Sequence, residues 1–310
     1  MDVRTCVNEN MAVYDSILEC VGETPIIKLN RIAPGIYVKL ERGNPGGSVK
    51  DRAAISMIID AESRGLLKSG GTIVEPTSGN TGISLCMVAA AKGYKTIIVI
   101  PDTMTEERLA YMRAYGAEIV LTPGSEGMKG AVGKANEIAK EKNAFVPGQF
   151  NNPANTSTHR TGTGKEILRD IPDIDFVFSG IGTGGTATGI AQTFIDAGSN
   201  AKVIGVEPGE NPMLTKGKSG PHGIQGIGAN FIPDCLDIGL LYDVVTVTTK
   251  DAEKMTVRLA REEGIFAGIS SGAAVAAAVE FSNDNKGRKI LAILPDGGEK
   301  YLSTGIYGRY

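Results

Sequence analysis

The chain of 310 residues is poor in the residues from which many catalytic centres are built. It has two histidines, His159 and His222, and no tryptophan. Two imidazoles are too few for a multi-histidine metal centre, and they leave only two candidate bases for a serine or cysteine nucleophile. We therefore expect no metal, and if the protein is an enzyme, something other than an imidazole carries its chemistry.

Cysteine motifs and long apolar runs are also missing. The four cysteines, at positions 6, 20, 86 and 235, match no CxxC pair, zinc knuckle or small disulfide scaffold, and we interpret them as buried thiols in a reducing compartment. The N-terminus has no apolar signal core, and no stretch approaches the ~18 apolar residues of a membrane span. We expect a soluble, cytoplasmic protein with no membrane partner.

The charges show no strong bias. There are 32 Lys and Arg against 35 Asp and Glu, dispersed along the chain, for a net charge of -3. A protein that neutralises phosphate backbones needs a basic stripe, and none is present. Nucleic acid is therefore not an expected partner.

Glycine, in contrast, is abundant. It accounts for 41 of the 310 residues, well above the average usage of ~7%, without a collagen period or low-complexity blocks. The glycines must therefore serve particular turns and loops. The length itself suggests two lobes, since a domain usually has roughly 100 to 200 residues.

Short runs rich in Val and Ile alternate with helix-like segments from about residue 70 onward. Continuous apolar strands that alternate with helices are typical of parallel sheets covered on both faces, so the fold class is α/β. The turn-rich stretch 146–157 is the best boundary between two lobes. Strands are predicted near 71–76 and over 95–101, 117–123, 176–180, 202–208, 243–249 and 289–296.

The first loop that could carry chemistry is NPGGSVKDRAA, residues 44–54. Its Asn-Pro-Gly-Gly turn precedes a helix that begins near Ser48 or Lys50. An ammonium at the positive end of a helix dipole is disfavoured, so the pKa of Lys50 should be lowered, as a Schiff-base or general-base lysine requires. Taken alone, Lys50 is better explained as a solvated surface lysine.

The second loop is EPTSGNTGIS, residues 75–84, between a parallel strand and a helix. Its hydroxyls, amide and backbone N–H groups suit a carboxylate or a phosphate. The alternative is an ordinary helix cap. The polar residues concerned are Thr77, Ser78, Asn80 and Thr81.

The third loop, within residues 176–191, predicts a phosphate site. Its glycines allow backbone N–H groups to approach an anion closely. The residues are Gly182, Thr183, Gly184, Gly185 and Thr186. Gly180, Gly182 and Gly185 also satisfy GxGxxG, and Glu207 ends the next strand, so a nicotinamide dehydrogenase is an alternative. The threonine hydroxyls favour a terminal phosphate monoester over a pyrophosphate.

Two further glycine-rich loops cover residues 223–233 and 266–278, and in the second Ser270 or Ser271 either caps a helix or points into a site. Together the five loops offer a lysine, a carboxylate site, a phosphate cradle and a neutral hydroxyl. A cofactor that has a phosphate and an aldehyde would use all four.

At this point the chain is seen to resemble the O-acetylserine sulfhydrylase (cysteine synthase) branch of the β-family, or fold type II, of pyridoxal-phosphate enzymes. The likeness runs from TPIIKLNRI near residue 24 to GGEKYLST near residue 304. The motifs that carry it are NPGGSVKDR, TSGNTG, GTGGT and GISSGA, in the family order. The resemblance implies two three-layer αβα lobes of the tryptophan synthase β type.

The resemblance also implies roles for individual residues. Lys50 would form the internal aldimine with pyridoxal phosphate, Asn80 would bond the phenolic oxygen, and Ser270 rather than Ser271 would face the pyridine nitrogen. The loop Gly182, Thr183, Gly184, Gly185 and Thr186 would bind the phosphate. Thr77, Ser78, Asn80 and Thr81, with Gln149, would hold the substrate carboxylate.

The lobes that the resemblance implies are a smaller, mobile one over residues 45–150 and a larger one made of 1–44 and 151–310. The implied reaction converts O-acetyl-L-serine and sulfide into L-cysteine and acetate through an α-aminoacrylate. Family members are homodimers, and some bind the C-terminal tail of serine acetyltransferase. The alternatives are O-phosphoserine sulfhydrylase, cystathionine β-synthase or threonine dehydratase activity, and a silent relative that only binds the acetyltransferase.

Overall fold

Helices and strands alternate along most of the chain. A computed structural model describes residues 13–77, 79–103 and 106–310, with the backbone alone at 106 and 107. Ser78 and Cys6 therefore lie outside the described residues. The fold is of the α/β class with mostly parallel strands, as the sequence predicts.

The strands form one sheet of six and one of three. The larger sheet has the order β1-β2-β9-β6-β7-β8 and is parallel except for the β1–β2 pair; the smaller has the order β3-β4-β5 and is parallel throughout. The strands are β1 (Ile26–Lys28), β2 (Ile36–Leu40), β3 (Thr72–Pro76), β4 (Lys95–Pro101), β5 (Glu118–Thr122), β6 (Phe176–Gly180), β7 (Lys202–Pro208), β8 (Asp243–Val247) and β9 (Ile290–Leu294).

The helices connect these strands and cover the sheets. They are α1 (Lys50–Ser63), α2 (Asn80–Lys92), α3 (Glu106–Ala114), α4 (Gly127–Lys142), α5 (Pro153–Thr158), α6 (Gly164–Asp170), α7 (Gly185–Asp196), α8 (Met213–Lys216), α9 (Thr249–Glu263), α10 (Ile269–Asp284) and α11 (Ile306–Arg309). A π-helical turn, His159–Thr163, joins α5 to α6.

The core of the larger sheet is built around β9. All five of its residues, ILAIL, are buried, as expected for a strand covered on both faces. Ala292 pairs with Val38 on one side and with Phe178 on the other. Apolar clusters fill both faces of this sheet, and smaller clusters surround the three-stranded sheet.

The sequence predicts several of these elements closely. The strands β4, β6 and β7 have the bounds expected from their apolar runs, and α1 begins at Lys50, one of its two expected starts. Helix α2 ends at Gly93, whose φ of 75° is the left-handed conformation that favours glycine. The strands β1 and β2 have no counterpart in the sequence-based assignment.

Two general expectations can be compared with the described residues. Among them, no helix is long and apolar enough to cross a membrane. Cys86 and Cys235 are buried and free, whereas Cys20 is free but only half-buried. The interpretation of the cysteines as buried thiols is thus confirmed for two of the three that the structure describes.

The topology brings the predicted loops together. Parallel strands end at one edge of their sheet, and ligands of open α/β sheets bind at that edge. The loops after β3, β6 and β9 all contribute to one cavity.

Candidate active site

A cavity of about 570 Å³ lies where loops that follow strands of both sheets meet. Its wall also includes the first residue of α1 and the beginning of α10. The sequence-predicted residues that line it are Lys50, Thr77, Asn80, Thr81, Gln149, Gly182, Thr183 and Ser270.

Lys50 is the first residue of α1 and is partly buried at the cavity wall. Its pKa is lowered from the ordinary value, as predicted, but the largest cause is burial, which the nearby carboxylate of Asp296 partly offsets. The helix dipole therefore predicts the direction of the pKa shift of Lys50 correctly, but the main cause of the shift is burial. A lysine with a lowered pKa has a larger fraction of neutral amine at pH 7, which is the nucleophilic and basic form.

The turn before Lys50 is held by an acidic side chain. Asp51 accepts a hydrogen bond from the N–H of Gly46 at 2.6 Å and one from the hydroxyl of Ser84 on α2. A Cβ on Gly46 would lie 2.5 Å from the Asp51 carboxylate. Glycine is therefore required here by a close approach, and the contact fixes where α1 begins.

The loop after β3 presents hydroxyl and amide groups to the cavity. Thr77 and Thr81 are buried in its wall, and Asn80 begins α2. The hydroxyl of Thr81 donates to the Oε1 atom of Gln149 at 2.6 Å, so the structure brings together two residues that are 68 positions apart. Ser78, predicted beside them, lies outside the described residues.

The loop after β6 forms a tight cradle. Gly184 has a φ of +83°, and a Cβ on Gly182 would lie 2.4 Å from the carbonyl oxygen of Gly226. A cavity of about 30 Å³ beside this loop is lined by Gly182, Thr183, Gly184 and Thr186 as well as Lys50. Gly185 begins α7 against the side chain of Asn155.

Side chains from α5 and the π turn support this cradle. Asn155 donates from Nδ2 to the Thr183 hydroxyl at 3.0 Å. The Nε2 atom of His159 lies 3.2 Å from the Thr186 hydroxyl, and its Nδ1 atom lies 2.9 Å from that of Thr163. Burial, then the charges of Arg52 and Lys50, hold the pKa of His159 well below 6.5. This histidine is therefore neutral, and the sequence analysis did not identify its contact with the cradle.

The two candidate serines of α10 differ in position. Ser270 lines the cavity, whereas Ser271 is fully buried and does not contribute to the wall. The hydroxyl of Ser271 has no hydrogen-bond partner among the described residues. Ser270 is thus the serine that a ligand in this cavity would meet.

Asp296, just after β9, is a site residue that the sequence analysis missed. Its side chain is buried, and its Oδ2 atom accepts hydrogen bonds from Asn80 Nδ2 and from the hydroxyl of Tyr301, both at 2.8 Å. Its Oδ1 atom has no partner among the described residues. Burial raises the pKa of Asp296, although Lys300 and the two hydrogen bonds oppose the rise.

The contacts of Glu207 argue against the alternative of a nicotinamide dehydrogenase. Its Oε2 atom accepts from the N–H of Leu214, and its Oε1 atom accepts from the N–H and the hydroxyl of Thr215. In a dinucleotide site, this carboxylate would bond the ribose hydroxyls. Here it caps α8 instead, so the Glu207 carboxylate is already engaged within the protein.

The fold, the low-pKa lysine and the anion cradle define a cofactor-dependent enzyme of the α/β class. The chain belongs to the family of pyridoxal-phosphate dependent enzymes, whose family model matches residues 17–296. The expected fold class and the expected dependence on pyridoxal phosphate are thereby confirmed.

Individual relatives are similar over nearly the whole chain. The cysteine synthase of Staphylococcus aureus strain Mu50 is 48% identical over 300 residues, which cover 94% of this chain and 97% of the relative. The O-ureido-L-serine synthase of Streptomyces lavendulae is 48% identical over 303 residues, covering 96% and 94%. A crystal structure of cysteine synthase from Entamoeba histolytica has a TM-score of 0.94 at 42% identity, covering 98% of this chain and 93% of that one.

Proposed function

We propose that this chain is a cysteine synthase, which converts O-acetyl-L-serine and sulfide into L-cysteine and acetate. The observation that carries the proposal is the position of Lys50, a lysine of lowered pKa in one cavity with two anion-binding loops. The 48% identity to the staphylococcal cysteine synthase over 94% of this chain supports the same reaction.

The residues around the cavity fit pyridoxal phosphate. Lys50 would hold its aldehyde carbon, Asn80 its phenolic oxygen and Ser270 its pyridine nitrogen. The loop Gly182, Thr183, Gly184, Gly185 and Thr186 would hold its phosphate. Side chains in place of its three glycines would collide with Gly226, Leu236 and Asn155 and displace the loop, whereas glycines let its backbone N–H groups approach an anion closely. When bound, the cofactor supplies an electron sink that allows an amino acid to lose its α-proton and its β-substituent.

The loop after β3 would bind the substrate carboxylate. Thr77, Asn80 and Thr81, with Gln149, offer polar groups at the N-terminus of α2, where the helix dipole favours an anion. The sequence resemblance adds Ser78 to this set. The contact between Thr81 and Gln149 holds this set of donors before a substrate arrives. The energetic cost of ordering them on binding is thereby reduced.

Lys50 would also move the proton. Its amine lies in the cavity wall, where burial lowers its pKa, so it would take a proton from the α-carbon and return it after sulfide has added. Ser270 presents a hydroxyl and not a carboxylate. It would leave the pyridine nitrogen less basic, which favours elimination of the β-substituent.

A second candidate is supported by the relatives. The O-ureido-L-serine synthase of Streptomyces lavendulae is as similar to this chain as the cysteine synthase is, at 48% identity. O-ureido-L-serine differs from cysteine only in the group carried on the β-carbon, so the two reactions would differ in the nucleophile, sulfide or hydroxyurea.

The test compares nucleophiles and donors directly. Purified protein with pyridoxal phosphate is assayed with O-acetylserine and either sulfide or hydroxyurea. O-phosphoserine with sulfide, and serine with homocysteine, are assayed as alternatives. We expect kcat/KM to be highest for O-acetylserine with sulfide. A higher value for hydroxyurea or for another donor would overturn the proposal.

The assembly and the lobes are proposals as well. A smaller lobe of residues 45–150, which contains the whole three-stranded sheet, would close on a larger lobe of residues 1–44 and 151–310 when substrate binds. The protein would be a cytoplasmic homodimer, and the C-terminal tail of serine acetyltransferase is a possible occupant of the cavity mouth. Light scattering tests the dimer, and competition between a tail peptide and O-acetylserine tests the partner.

A further inference from the structure

A buried carboxyl group lies behind the substrate-binding wall of the cavity. Glu75 is on β3, two residues before the loop that begins at Thr77, and its side chain is only 2% exposed. Its Oε2 atom accepts a hydrogen bond from the N–H of Gly148 at 3.2 Å, and the neighbouring backbone N–H of Gln149 also lowers the pKa of this carboxyl. Burial raises the pKa of Glu75 to about 7, against the effect of these two N–H groups.

The segment that contains Gly148 and Gln149 follows a short pairing with β3 but is not itself paired with that strand. Phe145 pairs with β3 at Ile73, and its N–H and carbonyl both bond to that strand. The pairing stops there, and Gly148 turns the chain at a φ of +65°. Beyond the pairing, the Glu75 side chain replaces the backbone of β3 as the acceptor for this segment.

Gln149 connects the two anion-binding loops. Its Oε1 atom accepts from the Thr81 hydroxyl at 2.6 Å. Its backbone carbonyl accepts from Asn155 Nδ2 at 2.8 Å, and the same Nδ2 atom donates to Thr183 in the phosphate cradle. A displacement of the backbone at Gln149 would therefore reach the substrate loop, and the hydrogen bond from the neighbouring Gly148 to Glu75 opposes that displacement.

We propose that Glu75 is a positioning residue for the carboxylate-binding wall, which it fixes through the backbone N–H of Gly148, next to Gln149. The proposal deepens the proposed function, because it rests on Thr81 and Gln149 holding the substrate carboxylate. Glu75 itself does not line the cavity, so it acts through Gln149 and not on the substrate.

The test measures amino-acid binding separately from turnover. The dissociation constant of L-serine, which carries the α-carboxylate of any amino-acid substrate, is read from the visible absorption of the holoenzyme. Glu75→Leu leaves the half-buried N–H of Gly148 without its acceptor and should weaken L-serine binding roughly tenfold. Glu75→Gln keeps one acceptor and should recover to within about threefold of the native protein. Glu118→Leu, which changes an exposed glutamate on β5, is the matched control and should bind as the native protein does.

A second measurement covers the case in which Glu75→Leu does not fold. Amide hydrogen exchange of residues 146–150 in Glu75→Gln should be faster than in the native protein, while exchange in β9 should be unchanged. Native L-serine affinity in Glu75→Leu, or native affinity and exchange in Glu75→Gln, would overturn the inference. Absence of turnover by the native protein with acetylserine and sulfide rejects the proposed function alone, since L-serine binding is measured without turnover.

Discussion

Replacement of Glu166 by glutamine tests the buried ionic cluster that ties α1 to the larger sheet. Arg52, two residues after Lys50, contacts both oxygens of Glu166 at 2.6 and 2.8 Å and both oxygens of Glu41 at 2.7 and 3.0 Å. Lys39 on β2 adds a contact of 2.7 Å with Glu166. The cluster holds two positive and two negative charges, so Glu166→Gln leaves an uncompensated buried cation.

The loss of stability caused by Glu166→Gln can be estimated in two ways. Burial raises the pKa of Glu166, but Arg52 and Lys39 outweigh it and lower the pKa from 4.5 to about 2. At ~1.36 kcal/mol per pKa unit this corresponds to ~3 kcal/mol, and contact with solvent at a side chain that is 6% exposed reduces the figure somewhat. Removal of one partner from a buried ion pair costs ~3–5 kcal/mol by mutational precedent. We expect the free energy of unfolding to fall by ~3 kcal/mol at pH 7.

The assay is urea unfolding of the native protein and of Glu166→Gln at several pH values. The pKa of Glu166 is lower in the folded than in the unfolded protein, so its contribution is present above pH 4.5 and is lost as the pH falls through 2. The difference in stability between the two proteins should therefore be constant from pH 7 to about 5 and shrink in acid.

The control is an exposed pair with similar geometry. Arg160 contacts both oxygens of Asp196 at 2.6 and 2.8 Å, but both side chains are 48% exposed. Asp196→Asn should leave the unfolding midpoint nearly unchanged because water already solvates these charges. A loss of less than about 1 kcal/mol in Glu166→Gln, or one that does not depend on pH, would refute the reasoning.

Three further outcomes follow from the site. Lys50→Ala should abolish turnover and change the visible absorption of bound pyridoxal phosphate, as spectra of the reconstituted protein will show; an unchanged spectrum would place the attachment elsewhere. Gly184→Ala should weaken pyridoxal phosphate binding more than tenfold in a fluorescence titration, because the new Cβ would lie 2.4 Å from the Leu236 side chain. The control is Gly198→Ala, which has a similar positive φ but open space around the new Cβ. This variant should bind pyridoxal phosphate as the native protein does. Thr81→Val removes the donor to Gln149 and should raise the KM for O-acetylserine roughly tenfold with little change in kcat; an unchanged KM would contradict the role of this pair.

The sequence predicts the fold best where local pattern and burial agree. The strands β4, β6 and β7 are apolar runs bounded by turn residues, so their limits follow from composition alone. The strand β2, IYVKL, contains Lys39, a residue type that usually lies at the surface. Lys39 is 0% exposed because Glu166, 127 positions later, neutralises it. No local pattern predicts such a pairing.

The residues of the candidate site likewise include some that the sequence predicts and some that it does not. Glycine and hydroxyl residues in the loops after β3 and β6 are recognisable from sequence, since close backbone approach and helix N-termini impose their own residue types. Glu75, His159 and Asp296 are not recognisable, because their significance comes from burial and from partners distant in the chain. The pKa of Lys50 illustrates both: its local setting predicts the direction, and its burial supplies the main cause.

Three buried carboxyl groups differ in how far neighbouring groups compensate their charge. Glu166, Glu75 and Asp296 are all buried, yet the pKa of Glu166 is lowered and those of the other two are raised. Two cations compensate Glu166, away from the cavity. Glu75 accepts a hydrogen bond from the backbone N–H of Gly148. The hydrogen bonds and the charge of Lys300 do not fully offset the burial of Asp296. Because an incompletely compensated carboxyl responds to any new charge nearby, ligand binding should change the protonation of Asp296, which lines the cavity, more than that of Glu166.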